Sequence, residues 1–243
     1  MSNVEVADDA TLRGRTLVFR DRTHAGEALA EALIRLGWHQ QKVVLAIPAG
    51  GVEVAVAATE KLGLPLELAV TRKLHIPWNR EAGFGAVSWE GDVTLNEPLT
   101  RAIGLTHAKI QMVIAEERAT IERRLRLYRG DAPPPTLIGK RVVVIDDGLA
   151  SGYSMLVTLK ALRRKGVSET TVAVPTGHTD AVELLRPHAD KILCLNLRLS
   201  DSFAVADAYR HWRDLTDDDV LRLLRISKNY LTASRARAKK KSA

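Results

Sequence analysis

The sequence predicts an α/β protein with a mainly parallel sheet that is flanked by helices on both faces. Continuous apolar runs, such as Val142 to Ile145, suit strands that are buried on both sides. These runs alternate along the chain with segments in which apolar residues recur at helical spacing. Right-handed crossovers then favour a single parallel sheet, whose ligands bind at the carboxyl ends of its strands.

The first third of the chain contains two predicted helix–strand units. The segment HAGEALAEALIRLG places apolar residues on one helical face and ends at Gly37; these residues are Leu29, Ala32, Leu33 and Leu36. The strand KVVLAI, the turn PAGG, a helix from Val52 to Leu62 and the strand LELAV follow. This order predicts two neighbouring parallel strands with a crossover helix between them.

The middle of the chain contains a long insertion and then a long helix. The segment TRKLHIPWNREAGFGAVSWEGDVTLN contains a predicted hairpin, formed by GAVSW and VTLN, and we expect residues 72–96 to act as a lid. A helix is predicted from Thr106 to Tyr128. Its inward stripe comprises Ile110, Val113, Ile114, Ile121 and Leu125.

The last third returns to alternating strands and helices. The strand VVVI leads through a loop to a helix from Met155 to Lys165, which Gly166 ends. The strand TTVAVP, a short helix after Thr179 and the strand KILCLN complete the predicted sheet.

Length and composition favour one elaborated domain, which we place at residues 1–227 of the 243. Six of the seven net positive charges fall after Ser227, so the preceding part is nearly neutral. We expect residues 228–243 to form a disordered basic tail, with non-specific polyanion contact as its functional alternative. Otherwise a nucleic-acid partner is not expected.

The remaining compositional signals predict a soluble, cytoplasmic protein. The start of the sequence lacks a basic and apolar leader, and no apolar run approaches the length of a membrane span. The single cysteine, Cys194, lies in the apolar run KILCLN and is interpreted as a core thiol. We also expect a homo-oligomer.

The stretch VVVIDDGLASGYSM carries the clearest chemical signal. Asp146 and Asp147 follow the strand, and Gly148 to Ser154 form a loop that leads into a helix. Loop amides and a helix N-terminus favour a phosphate. The two carboxylates instead suit sugar hydroxyls or a divalent cation, so a phosphorylated sugar matches both halves.

Three other interpretations of this stretch compete with that one. An acidic pair at a strand end is often only a solvated terminus. The receiver domain of signalling proteins also pairs aspartates, but it has them after its first strand, whereas Asp146 lies beyond the middle of this chain. A dinucleotide site is not indicated because no G-x-G-x-x-G follows a strand.

Other residues fall at the same predicted edge of the sheet. Gly50 and Gly51, in PAGG, follow the strand KVVLAI and allow close backbone approach to a ligand, although an ordinary turn would look the same. Arg72 and Lys73 follow the next strand; as isolated charges they would more often be solvated surface. Together with the acidic loop, this set suggests a clamp on pyrophosphate.

The segment Val142 to Ser154 resembles the phosphoribosyl pyrophosphate (PRPP) signature of type I phosphoribosyltransferases, which is a hydrophobic run, two acids and a Thr-Gly loop. Ser151 replaces the usual threonine, and Tyr153 stands where a small residue is more common. Further segments between Phe19 and Leu224 resemble, in order, a group of predicted bacterial and archaeal phosphoribosyltransferases. They include FRDRTHAGEALAEAL, IPAGGVEVA, TRKLHIPWNREAGFGAV and SFAVADAYRHWRDLTDDDV.

The resemblance implies a PRPP site that uses Mg²⁺. Its implied catalytic residues are Asp146, Asp147, Arg72 and Lys73, with the two aspartates at the ribose and the metal. Its implied substrate-binding residues are Gly50, Gly51, Gly148, Ala150, Ser151, Gly152, Tyr153 and Ser154. The implied reaction transfers ribose 5-phosphate from PRPP to a nitrogen acceptor such as a nucleobase and releases pyrophosphate.

Two departures bear on this activity. Ala49 stands where the group usually has an arginine before the paired glycines, which leaves a non-catalytic PRPP- or nucleotide-binding regulator as the alternative function. Ala150 stands where enzymes that act on 6-oxopurines carry an acid, which disfavours hypoxanthine and guanine. The acceptor is a small molecule that residues 11–24 and 196–212 are expected to cover as a hood.

Overall fold

The computed structural model describes residues 4–40, 42–200 and 202–231, and for Arg80 and Glu81 the backbone alone. Nine strands are found in these ranges: β1 (Glu5–Ala7), β2 (Lys42–Ala46), β3 (Leu66–Leu68), β4 (Thr71–Ile76), β5 (Asn79–Ser88), β6 (Val93–Leu95), β7 (Arg141–Ile145), β8 (Glu169–His178) and β9 (Lys191–Arg198). Six of them form a sheet in the order β1-β9-β8-β7-β2-β3, in which all neighbours are parallel. The predicted fold class is confirmed.

Helices connect these strands and cover both faces of the sheet. They are α1 (Arg22–Arg35), α2 (Gly50–Leu62), α3 (Glu97–Ala102), α4 (His107–Arg129), α5 (Tyr153–Arg164), α6 (Thr179–Leu185) and α7 (Asp217–Ile226). Helices α1, α2 and α7 pack in one hydrophobic cluster, and α5 and α6 pack in another on the opposite face. Within the described ranges, no helix has the length and apolar character needed to cross a bilayer.

Strand β7 lies inside the sheet and explains why its sequence is apolar at successive positions. Val143 and Ile145 pack toward α1 and α2, whereas Val142 and Val144 pack toward α5 and α6. All four side chains are fully buried. Because side chains alternate between faces along a strand, a strand covered on both sides needs a continuous apolar run. The carboxyl end of this rigid strand is where the acidic pair begins.

The insertion between β3 and α4 forms a second, antiparallel sheet with the order β4-β5-β6. The predicted hairpin around Glu90 to Asp92 is present, since β5 pairs with β6, and β4 adds a strand that the sequence did not indicate. Arg164 of α5 donates to Asp92 at 2.9 Å, and Lys165 pairs with Glu90 at 2.9 Å. These contacts fasten the β5–β6 turn to α5. That residues 72–96 act as a lid stays a prediction.

The two predicted hood segments lie together at the carboxyl edge of the main sheet. Phe19 and Tyr209 form an isolated parallel bridge, in which the Phe19 amide donates to the Ala208 carbonyl at 2.9 Å. The side chain of Asn196 donates to the Leu12 and Arg15 carbonyls of the other segment. Residues 22–24 already belong to α1, so the first segment is shorter than predicted.

The C-terminal end of the described chain packs against the domain. The Leu66 amide donates to the Asn229 carbonyl at 2.8 Å, and the buried Tyr230 donates through its hydroxyl to the Tyr128 carbonyl at 3.1 Å. Residues 229 and 230 therefore contact the domain beyond Ser227, where the sequence placed its end, and the basic tail stays a prediction. The rest of the predicted tail, from residue 232 onward, lies outside the described residues.

Candidate active site at the carboxyl edge of the sheet

The acidic pair and its loop adopt the predicted strand, loop and helix. Strand β7 ends at Ile145, and α5 begins at Tyr153. The loop is held to β8 because Leu149 donates through its amide to the Thr176 carbonyl and accepts at its own carbonyl from the His178 amide. Ala150 and Ser151 are exposed at its tip. The loop therefore has a defined path and an open outer surface.

Helix α5 begins without a side-chain cap. Its N-cap residue, Gly152, has a φ of 77°, in the left-handed region that glycine adopts without strain. No acidic residue lies in the first turn, so the amide dipoles there are not countered by a carboxylate. An uncapped helix N-terminus beside an exposed loop favours an anion.

A cavity of about 290 Å³ connects this loop with the acidic pair and the antiparallel sheet. Its lining residues are Lys73, Gly83, Asp146, Gly148, Leu149, Ala150, Ser151, Gly152, Ser154, Met155 and Val205. One wall offers loop amides and hydroxyls, another a carboxylate, and a third an ammonium group. This is an arrangement for a small anionic ligand that also carries hydroxyl groups.

Tyr153 was predicted to bind the ligand, but its side chain does not line this cavity. It packs against the hydrophobic cluster on the α5 face, where burial raises the pKa of its phenol. Only its backbone, at the start of α5, lies at the loop.

Arg72 and Lys73 were predicted to act together, and the structure separates them. Both lie in β4, where successive side chains point to opposite faces. Lys73 reaches the 290 Å³ cavity and passes Gly83 on the way. Arg72 pairs with Glu117 of α4 at 2.7 Å and lines another cavity, of about 560 Å³. Strand alternation therefore turns Arg72 away from the acidic pair, beside which it was predicted to act.

Asp146 and Asp147 lie in different surroundings despite being adjacent. Asp146 lines the cavity and accepts at Oδ1 from the Asp147 amide at 2.8 Å. Burial, and then the neighbouring Asp147 carboxylate, raise the pKa of Asp146 well above its usual range. Asp147 instead points toward α1, where its Oδ2 accepts from Nε of Arg22 at 2.8 Å.

The paired glycines of PAGG start α2 and lie against the acidic pair. A Cβ atom added to Gly50 would lie 1.7 Å from Oδ2 of Asp147, and one added to Gly51 would lie 2.9 Å from Cα of Asp146. Neither distance is possible in a protein without a shift. The structure shows that the glycines make room for the two aspartates, and that they also approach a ligand stays a prediction.

Arg22 is a site residue that the sequence reasoning missed. It is 4% exposed and contacts Asp147, the Arg213 carbonyl and the Trp212 ring. One signal was present in the sequence, because a cation in the first turn of a helix opposes the helix dipole. Arg22 occupies that position in α1, immediately after the N-cap Asp21.

All three aromatic residues in the second predicted hood segment make contacts within the protein. The Tyr209 hydroxyl donates to the Asp147 carbonyl at 2.6 Å, and burial raises the pKa of Tyr209 well above its usual value. Trp212 is 37% exposed, and the Arg22 guanidinium lies 3.8 Å from its ring centroid. Phe203 lies between His178 and Arg198. Of the three, Trp212 keeps the most accessible ring beside the acidic pair.

Comparison with known proteins identifies the family. The sequence profile of the phosphoribosyl transferase domain matches residues 20–210. The chain belongs to this family. It is 33% identical, over 207 residues, to proteins from two Mycobacterium tuberculosis strains that are provisionally named phosphoribosyl transferases. The match covers 85% of this chain and 46% of each relative, so the chain spans about half their length.

A solved structure shares the fold of this chain. The crystal structure of TT1426 from Thermus thermophilus is 35% identical to this phosphoribosyl transferase domain and superposes with a TM-score of 0.69. The match covers 85% of this chain and 97% of that one.

The oxygen donors of this phosphoribosyl transferase domain fit a magnesium ion that takes its remaining ligands from another molecule. Within the described residues, no group of three or more histidine, cysteine, aspartate or glutamate side chains is placed to hold a metal. Mg²⁺ binds oxygen atoms and commonly uses one or two carboxylates together with substrate phosphates. Asp146 supplies one such carboxylate in the cavity, and Asp147 lies beside it.

We predict that Asp146→Asn raises the Tm of the metal-free protein at neutral pH by about 3 °C or more, the shift that about 1 kcal/mol produces in a domain of this size. The pKa of Asp146 is raised above about 3.8, so its proton stabilises the folded state fully below pH 3.8. That stabilisation is lost as the pH rises through the folded-state pKa. Asparagine is uncharged and retains an Oδ1 that accepts from the Asp147 amide.

The measurement is thermal unfolding in EDTA between about pH 4.5 and about pH 8.5, a range that lies above the unfolded-state pKa of an aspartate. The parent should lose stability with rising pH relative to Asp146→Asn, and the difference should be greatest at the alkaline end. Asp131→Asn, which removes an exposed carboxylate, is the matched control and should follow the parent. A Tm of Asp146→Asn at or below that of the parent at the alkaline end would show that the charge of Asp146 does not destabilise the folded protein.

Proposed function

We propose that this protein is a phosphoribosyltransferase that transfers ribose 5-phosphate from PRPP to a nitrogen acceptor, such as a nucleobase, and releases pyrophosphate. The observation that carries the proposal is the 290 Å³ cavity, in which the uncapped α5 loop, Asp146 and Lys73 meet. Each wall suits a different part of PRPP. Membership of the phosphoribosyl transferase domain family supports the same reaction class.

The α5 loop is proposed to hold the 5-phosphate. Its amides precede a helix whose N-terminus has no side-chain cap, and Ser151 and Ser154 add hydroxyl donors to the same wall. Backbone amides and a helix dipole stabilise a phosphate without a counter-charge. Ala150 adds no carboxylate that would repel it.

The acidic pair is proposed to orient the ribose. Carboxylates accept hydrogen bonds from hydroxyl groups, and Asp146 faces the cavity next to the phosphate loop. The acidic pair would hold Mg²⁺ when it is bound with PRPP, and the ion would neutralise negative charge on the pyrophosphate. Asp147 is fixed by Arg22 on one side and by the Gly50 backbone on the other, so its carboxylate has a defined direction.

Lys73 is proposed to neutralise the leaving pyrophosphate. In the transfer, the bond from the anomeric carbon to the pyrophosphate oxygen breaks, and its electron pair leaves with pyrophosphate. A lone pair of the acceptor nitrogen forms the new bond. An ammonium group that stabilises the growing negative charge lowers the barrier, and the fixed carboxylates keep the ribose aligned. Arg72 has no part in this step because it faces α4.

The acceptor is proposed to bind under the hood, beside Trp212. A cavity of about 340 Å³ lies there, with lining residues Asp21, Arg22, Glu53, Arg210, His211, Trp212 and Arg213. Its charged groups of both signs suit a polar ring rather than an apolar one. We place the reaction in the cytoplasm, where the buried Cys194 thiol stays reduced, and a homo-oligomer stays a prediction.

A second function, PRPP or nucleotide binding without turnover, is favoured by one observation. Ala49 has a methyl group where the related group usually carries an arginine, and it immediately precedes Gly50 at the start of α2. A regulator needs affinity for the ligand but no stabilisation of a leaving group. Release of pyrophosphate distinguishes the two functions.

We predict that PRPP with Mg²⁺ raises the Tm of the parent, because a ligand that binds only the native state stabilises it by about 2.7 kcal/mol at one hundred times its Kd. Asp147→Asn should reduce this response severalfold, because one carboxylate of the pair that is proposed to orient the ribose is lost. The measurement is thermal unfolding across a PRPP series at fixed Mg²⁺, with Asp131→Asn as the exposed control. Equal responses in all three proteins would remove Asp147 from the site.

The reaction itself is tested by incubating the parent with PRPP, Mg²⁺ and a panel of nucleobases. Pyrophosphate release that depends on one acceptor supports the transferase. A PRPP-induced rise in Tm without release from any acceptor supports the binding protein.

We predict that Ala49→Arg accelerates pyrophosphate release by about a hundredfold, since one donor to a developing charge is worth about 3 kcal/mol. An arginine before Gly50 adds a delocalised cation to the pyrophosphate side of the site. The affinity for a nucleoside 5-monophosphate, which lacks pyrophosphate, should stay unchanged. The measurement is turnover and monophosphate affinity of both proteins with the acceptor found above. A parent that already turns over faster than the variant would show that Lys73 suffices.

A further inference from the structure

Among the described side chains, Arg22 is the one that forms an ion pair with Asp147. Its Nε donates to Oδ2 of Asp147 at 2.8 Å, and its Nη1 donates to the Arg213 carbonyl at 2.8 Å. The face of its guanidinium lies against Trp212. Three different parts of one buried group are thus engaged, and the cation is held in one place.

The surroundings of Arg22 contain several carboxylates. Asp147 is bonded to it, Asp146 is adjacent to Asp147 in the chain, and Asp21 and Glu53 line the same 340 Å³ cavity as Arg22. The other basic residues at that cavity are Arg210, His211 and Arg213, of which Arg213 pairs with Asp219. Two adjacent carboxylates without a counter-charge repel each other and attract a divalent cation.

Resting on the proposed function, we propose that Arg22 is a built-in counter-cation that positions Asp147 and keeps a divalent metal off the acidic pair until PRPP arrives. Its guanidinium occupies Oδ2 of Asp147, an oxygen atom that a metal ion would otherwise use. The acidic pair would then hold Mg²⁺ only together with PRPP. The free enzyme holds its ribose-binding carboxylate ready and unmetallated.

Arginine suits this role better than other cations. The arginine guanidinium is a delocalised cation that is weakly hydrated and suits a buried ion pair. Its planar group also donates in two directions while stacking on an indole ring. A lysine at the same place would keep the charge and lose the fixed direction. Charge and direction can therefore be tested separately.

The test titrates Mn²⁺, as the probe for Mg²⁺, into the free protein and follows unbound Mn²⁺ by electron paramagnetic resonance. The variants are Arg22→Gln, Arg22→Lys and the double variant Arg22→Gln with Asp147→Asn. Arg20→Gln is the matched control, because Arg20 lies in the same segment, is exposed and pairs with Asp21 instead. Circular dichroism verifies that each variant is folded.

We expect the parent and Arg20→Gln to bind Mn²⁺ weakly, and Arg22→Gln to bind it about tenfold more tightly or better, which corresponds to about 1.4 kcal/mol. Arg22→Lys should return to weak binding, and the double variant should lose the gain. A purely structural role for Arg22 would not raise metal affinity. Unchanged Mn²⁺ affinity in Arg22→Gln, or a gain that survives in the double variant, would overturn the proposal.

Two further measurements keep the outcome clear. If Arg22→Gln does not fold, the parent alone decides, because tight Mn²⁺ binding without PRPP contradicts the proposal and binding that requires PRPP supports it. PRPP affinity is measured separately. A parent that binds Mn²⁺ weakly and does not bind PRPP would refute the proposed function. The metal titration of the variants would still test the role of Arg22.

Discussion

The close approach between the start of α2 and the acidic pair is the constraint on which the site depends. The backbone of Gly50 and Gly51 lies so close to Asp147 and Asp146 that a residue with a β-carbon would clash with them. Asp147 lies between the Gly50 backbone and the Arg22 guanidinium, which fix its direction. Its neighbour Asp146 faces the cavity. The two adjacent aspartates therefore point in different directions, and only Asp147 has an arginine as its partner.

The sheet creates this constraint by its topology. Strands β2 and β7 are parallel neighbours, with Ala46 opposite Ile145, so the residues that follow each strand emerge side by side. Turns from both strands then compete for the same space, and glycine resolves the competition. The α5 loop and the hood reach the same edge because β8 and β9 are the next strands in order. At the opposite edge, where β2 begins, Lys42 is instead buried against Glu169.

Several parts of this arrangement were predictable from local sequence, and the reasons are physical. The run from Val142 to Ile145 specified a strand buried on both faces, and its acids and loop then followed in register. The separation of Arg72 from Lys73 follows from strand periodicity, but the segment was interpreted as a lid and not as a strand. Its polar residues around Trp78 form a turn between β4 and β5, which the sequence did not distinguish from a loop.

Other features depend on contacts that are distant in sequence. The pairing of Leu66 with Tyr230, and the three-residue strand β1 beside β9, have no local signature. Arg22 pairs with Asp147, which is 125 positions away in the chain. The segment that contains Arg22 resembles the family pattern, but the resemblance assigns no role to this arginine. The roles of Gly50 and Gly51 likewise depend on a neighbouring strand, because the aspartates that follow β7 fill the space beside these glycines.

The central claim is that one cavity recognises a phosphate at the α5 loop and ribose hydroxyls at the acidic pair. Calorimetric binding of ribose 5-phosphate and of 2-deoxyribose 5-phosphate to the parent tests both halves at once, with unphosphorylated ribose as the control. A hydrogen bond to a carboxylate is worth about 1.5–3 kcal/mol, so loss of the 2-hydroxyl should weaken binding by about tenfold or more. Ribose itself should bind least. Equal affinity for the two phosphorylated sugars would contradict the account.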